Sequence, residues 1–193
     1  GMPTVGALPM ISGSFAVMLL STLFALPIAI GSAIFVVEIA PGFGRKVFQP
    51  LIELLVGIPS VVYGLIGLTI IVAWVRGAAA SLGQTITGFG VFSSAIVLAI
   101  MILPTITSLS IDALAAVPRE YREGSYALCC TRWQTIWNVV LRSAAPSLMT
   151  AVILGMTRAF GEALAVQMVI GNAAQMPTSL FTPASTLTSV LTM

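Results

Sequence analysis

The stretch VFSSAIVLAIMILPTITSLSI, residues 91–111, carries no charged side chain and is apolar almost throughout. A helix rises about 1.5 Å per residue, so about 20 such residues cross the hydrocarbon of a bilayer. Pro104 interrupts the run and Asp112 ends it. A membrane helix tolerates such a proline where its neighbours satisfy the freed carbonyl. The same pattern recurs outward from here: residues 1–37, 54–75, 77–111 and 163–193 are all free of charge. Of the 193 residues, 58% are hydrophobic and 7% charged, whereas a soluble domain carries about 25% charged residues to face water. A soluble enzyme, a nucleic-acid binder and a disulfide-stapled secreted domain all fit poorly. The composition predicts an all-α membrane protein, a polytopic helix bundle forming one transmembrane domain over residues 1–193.

Four spans are expected, over residues 13–40, 48–75, 91–115 and 146–170. Pro27 interrupts the first, and Glu38 closes it near an interface. The second contains Gly57, Ile58, Pro59 and Ser60, then Gly64 and Gly67. Pro59 removes a backbone donor, and the glycines permit close helix approach. This reads either as a kinked helix packed on a neighbour or as a break that lines a pathway. Residues 76–90 read as a loop or short interfacial helix, and residues 171–193 as an outer loop rich in Thr, Ser and Pro.

The net charge of +2, from eight basic and six acidic residues, is too small to imply a nucleic-acid partner. Position is more informative. Arg45 and Lys46 lie in one short loop, and Arg119, Arg122, Arg132 and Arg142 in one longer segment. Lys and Arg concentrate in cytoplasmic loops, so both segments are expected inside and the N-terminus outside. No basic region precedes the first apolar run, so no signal peptide is read. Gly1 ahead of Met2, and the charge-free end at Met193, suggest a chain cut from a longer one.

Residues 116–145 differ from everything around them. They hold six of the fourteen charged residues. Tyr121, Ala127, Leu128, Trp133, Ile136, Trp137, Val140 and Leu141 recur at spacings that suit short amphipathic helices. About 30 residues is long for a connection between spans, and such segments are usually functional. An apolar face on the cytoplasmic side needs a cover, either the membrane surface or a partner protein. Cys129 and Cys130 are the only cysteines and histidine is absent. Adjacent cysteines rarely bridge, and zinc needs about four ligands. No metal or other cofactor is therefore expected.

Arg158 and Glu162 lie inside an apolar span, four residues apart, on one face of an expected continuous helix. An ionisable group at mid-membrane costs about 2.5–3.5 kcal/mol on insertion scales and usually faces the bundle interior or a wet cavity. The pair either pins helix packing or lines a substrate pathway, where the guanidinium fork suits phosphate oxygens. Lys46 is the only lysine and stands in no phosphate-binding loop. Energy for transport must come from another subunit or from an ion gradient.

Glu123-Gly124-Ser125, three residues, Cys129, then Val139-x-Leu141 resembles the EAA loop of bacterial ABC importer permeases. That family's pattern is Glu-Ala-Ala, three residues, Gly, nine residues, Ile-x-Leu-Pro. Cys129 stands where the family has Gly, and Arg142 where it has Pro. Gly57-Ile-Pro-Ser-Val-Val-Tyr-Gly64 resembles a signature of the phosphate-type permeases. Arg158-Ala-Phe-Gly-Glu-Ala-Leu-Ala165, with Gly171-Asn172 and Ser179-Leu-Phe, resembles the same PstC-like branch. The resemblance runs from about residue 12 to residue 193.

It implies a MetI-like bundle with about four spans present and a last span missing. It also implies that the segment 116–145 carries a coupling helix docked in a groove of a separate ATPase. Glu123, Gly124, Ser125 and Cys129 would lie in that contact, with Tyr121, Leu128 and Trp133 as apolar anchors. Gly57, Pro59 and Ser60 would break a helix or line the pathway, and Arg158 and Glu162 would handle the anion. The implied partners are an ATPase subunit dimer, a second permease subunit (paralogue or self), an extracytoplasmic phosphate-binding protein and the lipid bilayer. The implied location is the bacterial cytoplasmic (inner) membrane, multi-pass. Two alternatives stand beside inorganic phosphate import: a permease for another oxyanion, and an intramembrane enzyme. The second would have to draw on Asp112, the Arg158–Glu162 pair or a Ser. A gradient-driven carrier would need the same pair but not the long cytoplasmic segment.

Overall fold

The computed structural model describes residues 8–81, 88–162, 164–170 and 186. These form helices α1 (Leu8–Ile34), α2 (Pro41–Val56), α3 (Ser60–Ile66), α4 (Val72–Ser81), α5 (Val91–Ala115), α6 (Arg119–Ala127), α7 (Arg132–Thr135), α8 (Leu141–Gly161) and α9 (Leu164–Ile170). Three π-helical turns, Phe35–Ile39, Gly67–Ile71 and Ile136–Val140, extend α1 and join α3 to α4 and α7 to α8. Among the described residues there is no strand. Four helical runs are long and apolar enough to cross a bilayer: Ile11–Ile39, Ser60–Ala80, Val91–Ala115 and Arg132–Gly161.

Several hydroxyls inside these apolar helices bond to their own backbone, which offsets the cost of placing them in hydrocarbon. Ser21 Oγ and Thr22 Oγ1 donate to the Met18 carbonyl at 2.9 and 2.8 Å. Thr107 Oγ1 donates to Leu103 O at 2.7 Å, one turn before it.

Two expected spans are corrected. The span predicted over 48–75 is not one helix, because α2 ends at Val56 and α3 begins at Ser60. Pro59 is extended (φ −60°, ψ 140°) and caps α3 without a side-chain bond. Proline also biases the preceding Ile58 away from helix. The run of spanning length starts only at Ser60. The span predicted over 146–170 begins instead at Arg132 and ends at Gly161. Thr131 starts that helix with a capping box: its hydroxyl accepts from Gln134 N–H, and Gln134 Oε1 accepts from Thr131 N–H at 2.9 Å. Arg142, where the family pattern has Pro, leaves the helix unbroken. At about 1.5 Å per residue the run measures about 45 Å, longer than the hydrocarbon, so its charged first turns lie beyond it. Part of the 116–145 segment is thus the end of a spanning helix.

The chain clusters into two compact units. One comprises 1–25, 57–102 and 156–193, and the other 26–56 and 103–155. The chain passes between them beside Pro27, Gly57–Pro59, Pro104 and Gly155.

In the first unit, α9 packs on α3 at close range. A Cβ on Gly64 would stand 2.7 Å from Met168 Sδ and 3.1 Å from Ala165 Cα. One on Gly67 would meet Val97 Cγ2 and Val169 Cγ2. Small residues let membrane helices approach this closely. Phe24 meets Phe92 edge-on at 6.0 Å, and Phe15 tilts against Phe160 at 5.7 Å.

In the second unit, Ala33, Ile34 and Val36 of the first run bury against Ile111, Leu114, Val117, Ile136 and Val140, with Ile52 of α2 completing the cluster. Phe35 and Phe48 add a tilted ring contact at 5.9 Å.

Candidate functional site

α6 opens after Pro118, whose extended backbone starts the helix, and Glu120 sits in its first turn, where the helix dipole favours an acid. It ends in a Schellman turn. Cys130 N–H bonds to Ser125 O at 3.3 Å and Cys129 N–H to Tyr126 O at 2.9 Å. Such a turn needs its central residue in the left-handed region, and Cys129 has φ 59°. This gives the Gly of the family pattern a physical reason, since an L side chain there costs about 1–2 kcal/mol. Thr131 starts the next helix directly, so α6 and α7 form a tight hairpin. Ser125 Oγ and Thr135 Oγ1 hydrogen-bond across it at 2.9 Å, both buried.

The expected coupling residues therefore divide. Tyr121 is 54% exposed and Leu128 80%, and Glu123, Gly124 and Cys129 are exposed as well. Ser125 points inward and holds the hairpin together. Trp133 lies on α7 and stacks on Trp137 one turn later, with centroids 5.9 Å apart and planes 19° apart. Both indoles remain open, as in the aromatic belts at membrane–water interfaces.

A charged clamp holds the hairpin to the ends of the spanning helices. Arg122 Nη2 and Nε donate to Glu38 Oε1 at 2.7 and 3.0 Å. Its Nη1 donates to Val117 O at 2.6 Å, and Nη2 also to Leu114 O at 3.0 Å. Arg132 Nη2 donates to the Glu38 backbone carbonyl at 2.6 Å. The Arg122 and Glu38 side chains are 17% and 9% exposed. Removing one partner of a buried, bonded pair costs about 3–5 kcal/mol. Beside the clamp is an open cleft of about 460 Å³, lined by Glu38, Arg119, Arg122, Glu123, Tyr126 and Arg132 among others. Sequence reading noted Glu38 only as the end of a span and Arg122 only as a cytoplasmic charge. Eighty-four positions separate them, and no local pattern links them.

Arg158 and Glu162 do not share one continuous helix as predicted. α8 ends at Gly161, and Glu162 lies in the break before α9. Its Oε1 accepts from Ala165 N–H at 3.4 Å, covering a backbone donor that the first turn of α9 leaves unpaired. Glu162 borders a crevice of about 10 Å³ with Ser14, Phe160 and Thr186, room for about one water. Arg158 is half-buried, and Tyr63 in the same unit is buried. Tyr63 belongs to the Gly57–Gly64 stretch, but sequence reading did not single it out. Gly57 and Pro59 are exposed and Ser60 half-buried at the helix break. The matches expected at Gly171-Asn172 and Ser179-Leu-Phe lie outside the described residues.

Known proteins match nearly the whole chain. It is 59% identical over 191 residues to the "Probable ABC transporter permease protein YqgH" of Bacillus subtilis, covering 99% of this chain and 60% of that protein. It is 35% identical over 201 residues to the "Phosphate transport system permease protein PstC" of Xylella fastidiosa, covering 96% of this chain and 62% of that protein. The protein of the same name from Mesorhizobium japonicum is 36% identical with the same coverage. The chain thus spans about three-fifths of the length of these curated relatives. The family described as "Binding-protein-dependent transport system inner membrane component" matches residues 25–192. With its spanning helices and a capped, solvent-facing hairpin where the EAA-like residues stand, this chain belongs to that family of transporter permease subunits.

Proposed function

We propose that the chain belongs to a subunit of an ATP-driven importer in the bacterial cytoplasmic membrane, where it helps to form the pathway for inorganic phosphate. The observation that carries this reading is the α6–α7 hairpin. It presents Tyr121, Leu128, Glu123 and Gly124 outward on a helix whose base is held by a partly buried ion pair. Helix-in-groove docking needs such a surface, with apolar anchors on a preorganised helix. The partner is the ATPase subunit dimer. A second permease subunit, paralogue or self, completes the pathway, and an extracytoplasmic phosphate-binding protein delivers the cargo. Closure of the ATPase dimer on ATP draws the hairpins together and rocks the attached helices, and hydrolysis resets them.

The phosphate assignment is supported by the names of the PstC relatives and by the chemistry of Arg158. A guanidinium presents paired donors to an oxyanion, and Glu162 moderates its charge so that the anion can leave. The test is uptake by the full-length permease, reconstituted in proteoliposomes with its ATPase, partner permease and binding protein. Labelled phosphate enters only with ATP, and labelled sulfate does not. Sulfate uptake at the phosphate rate makes the cargo oxyanions in general, and failure of a well-assembled complex to take up phosphate removes phosphate as the cargo.

A further inference from the structure

The clamp at Glu38 has a mechanical consequence that the hairpin alone does not. α6 is joined through the chain to α5 at one end, by residues 116–118, and to α7 at the other, by residues 128–131. A displacement of α6 therefore reaches those two helices through covalent connections. The first spanning run is different, because its end at Phe35–Ile39 is distant in sequence from the hairpin. It meets neighbouring elements through apolar packing around Val36, which resists separation but has little direction.

The directional connection is polar. Arg122 of α6 holds the Glu38 carboxylate with two donors, and Arg132 holds the Glu38 carbonyl. Glu38 lies within a π-helical turn. Such turns depart from the i→i−4 ladder and occur often at functional sites. The remaining Arg122 donors lie on carbonyls at and just past the end of α5. One guanidinium thus ties together the hairpin, the end of α5 and the end of the first run. Its planar fork makes these bonds at once, which a lysine cannot do.

We propose that Arg122 and Glu38 are positioning residues that make the first spanning helix move with the docking hairpin. Loss of the pair then uncouples ATP hydrolysis from transport without preventing docking. This rests on the reading of the hairpin as the ATPase contact. The pair touches neither the cargo nor the nucleotide; it acts through the helix it carries.

The experiment uses the full-length permease in the reconstituted importer and measures ATP hydrolysed and labelled phosphate imported in the same vesicles. Arg122→Gln and Glu38→Gln are expected to co-purify with the ATPase and to hydrolyse ATP. Their phosphate imported per ATP falls about tenfold, within the usual 5–150-fold range of coupling effects. The charge exchange, Glu38→Arg with Arg122→Glu, is expected to recover more of that ratio than either single change. A purely structural role lowers the amount of assembled complex but leaves the ratio unchanged. An unchanged ratio in either assembled variant overturns the proposal. If Arg122→Gln fails to assemble, Glu38→Gln decides, because it keeps the shape and one acceptor oxygen. Failure of both to assemble assigns the pair to folding and also overturns the proposal. Wild-type protein without ATP-dependent uptake overturns the functional reading and this role with it, whereas wild-type uptake with unaltered variants overturns the clamp alone.

Discussion

The α6–α7 hairpin and the α8–α9 break both contain a stretch that resembles a permease pattern, but they use charge differently. In the hairpin, charge fastens elements together. Arg122 and Glu38 are partly buried and bonded to each other, and Arg122 also donates to helix-end carbonyls, while the apolar Tyr121 and Leu128 are left open. At the break, charge sits where the helix stops. Glu162 covers the start of α9, and the tight packing is left to Gly64 and Gly67 against α9. The hairpin is thus a stiff body with an outward surface. The break joins α8 to α9, which packs closely on α3, with an arginine one turn before it. Similar side chains take different work according to whether the backbone around them is complete.

The comparison breaks most clearly at Arg158. Arg158→Met is expected to abolish labelled phosphate uptake by the reconstituted importer while the complex assembles normally, as read by co-purification. Normal uptake in that variant reduces the α8–α9 region to a packing joint. Gly67→Leu comes next. Its side chain would collide with Val97 and Val169, and overpacking of this kind costs about 3 kcal/mol. Thermal unfolding of the detergent-solubilised full-length permease checks this, and the loss should exceed that of any single substitution on the exposed face of α6.

Thr135→Val sharpens the hairpin side. It removes the partner of the buried Ser125 hydroxyl, with an expected loss of about 1–2 kcal/mol in the same unfolding assay. The smallest effect carries the opposite sign. Cys129→Gly relieves a left-handed residue and should stabilise by about 1 kcal/mol. Cys129→Val, β-branched at the same φ, should destabilise. Equal stability of both variants would mean that the Schellman turn does not set the end of α6.

Much of this protein was legible from its residues in order. The third span was placed at 91–115 and the structure has it there, because an uncharged apolar run of that length has few alternatives to a buried helix. The first span, expected at 13–40, runs from Ile11 to Ile39. The departure at Cys129 was visible as a mismatch to a pattern, and its backbone explains why that pattern holds Gly. The second span starts later than expected, because of the two readings open at Pro59, kink and break, the backbone takes the break. The fourth begins earlier than expected because the polar residues near Arg132 read as part of a separate amphipathic segment. They instead decorate the first turns of a helix longer than the hydrocarbon core is thick.

Composition, charge placement and the spacing of apolar residues act within a few positions along the chain. They therefore determine the all-α membrane fold class, the four apolar spans among the described residues and the helical character of the 116–145 segment. The closure of Arg122 on Glu38 and the packing of Gly64 on α9 depend on segments meeting across long sequence separations. Such contacts form only when the apolar faces choose their partners, and a buried charge then takes whichever acceptor that packing brings within reach. The chain order names the candidates for each contact, and the folded arrangement selects among them.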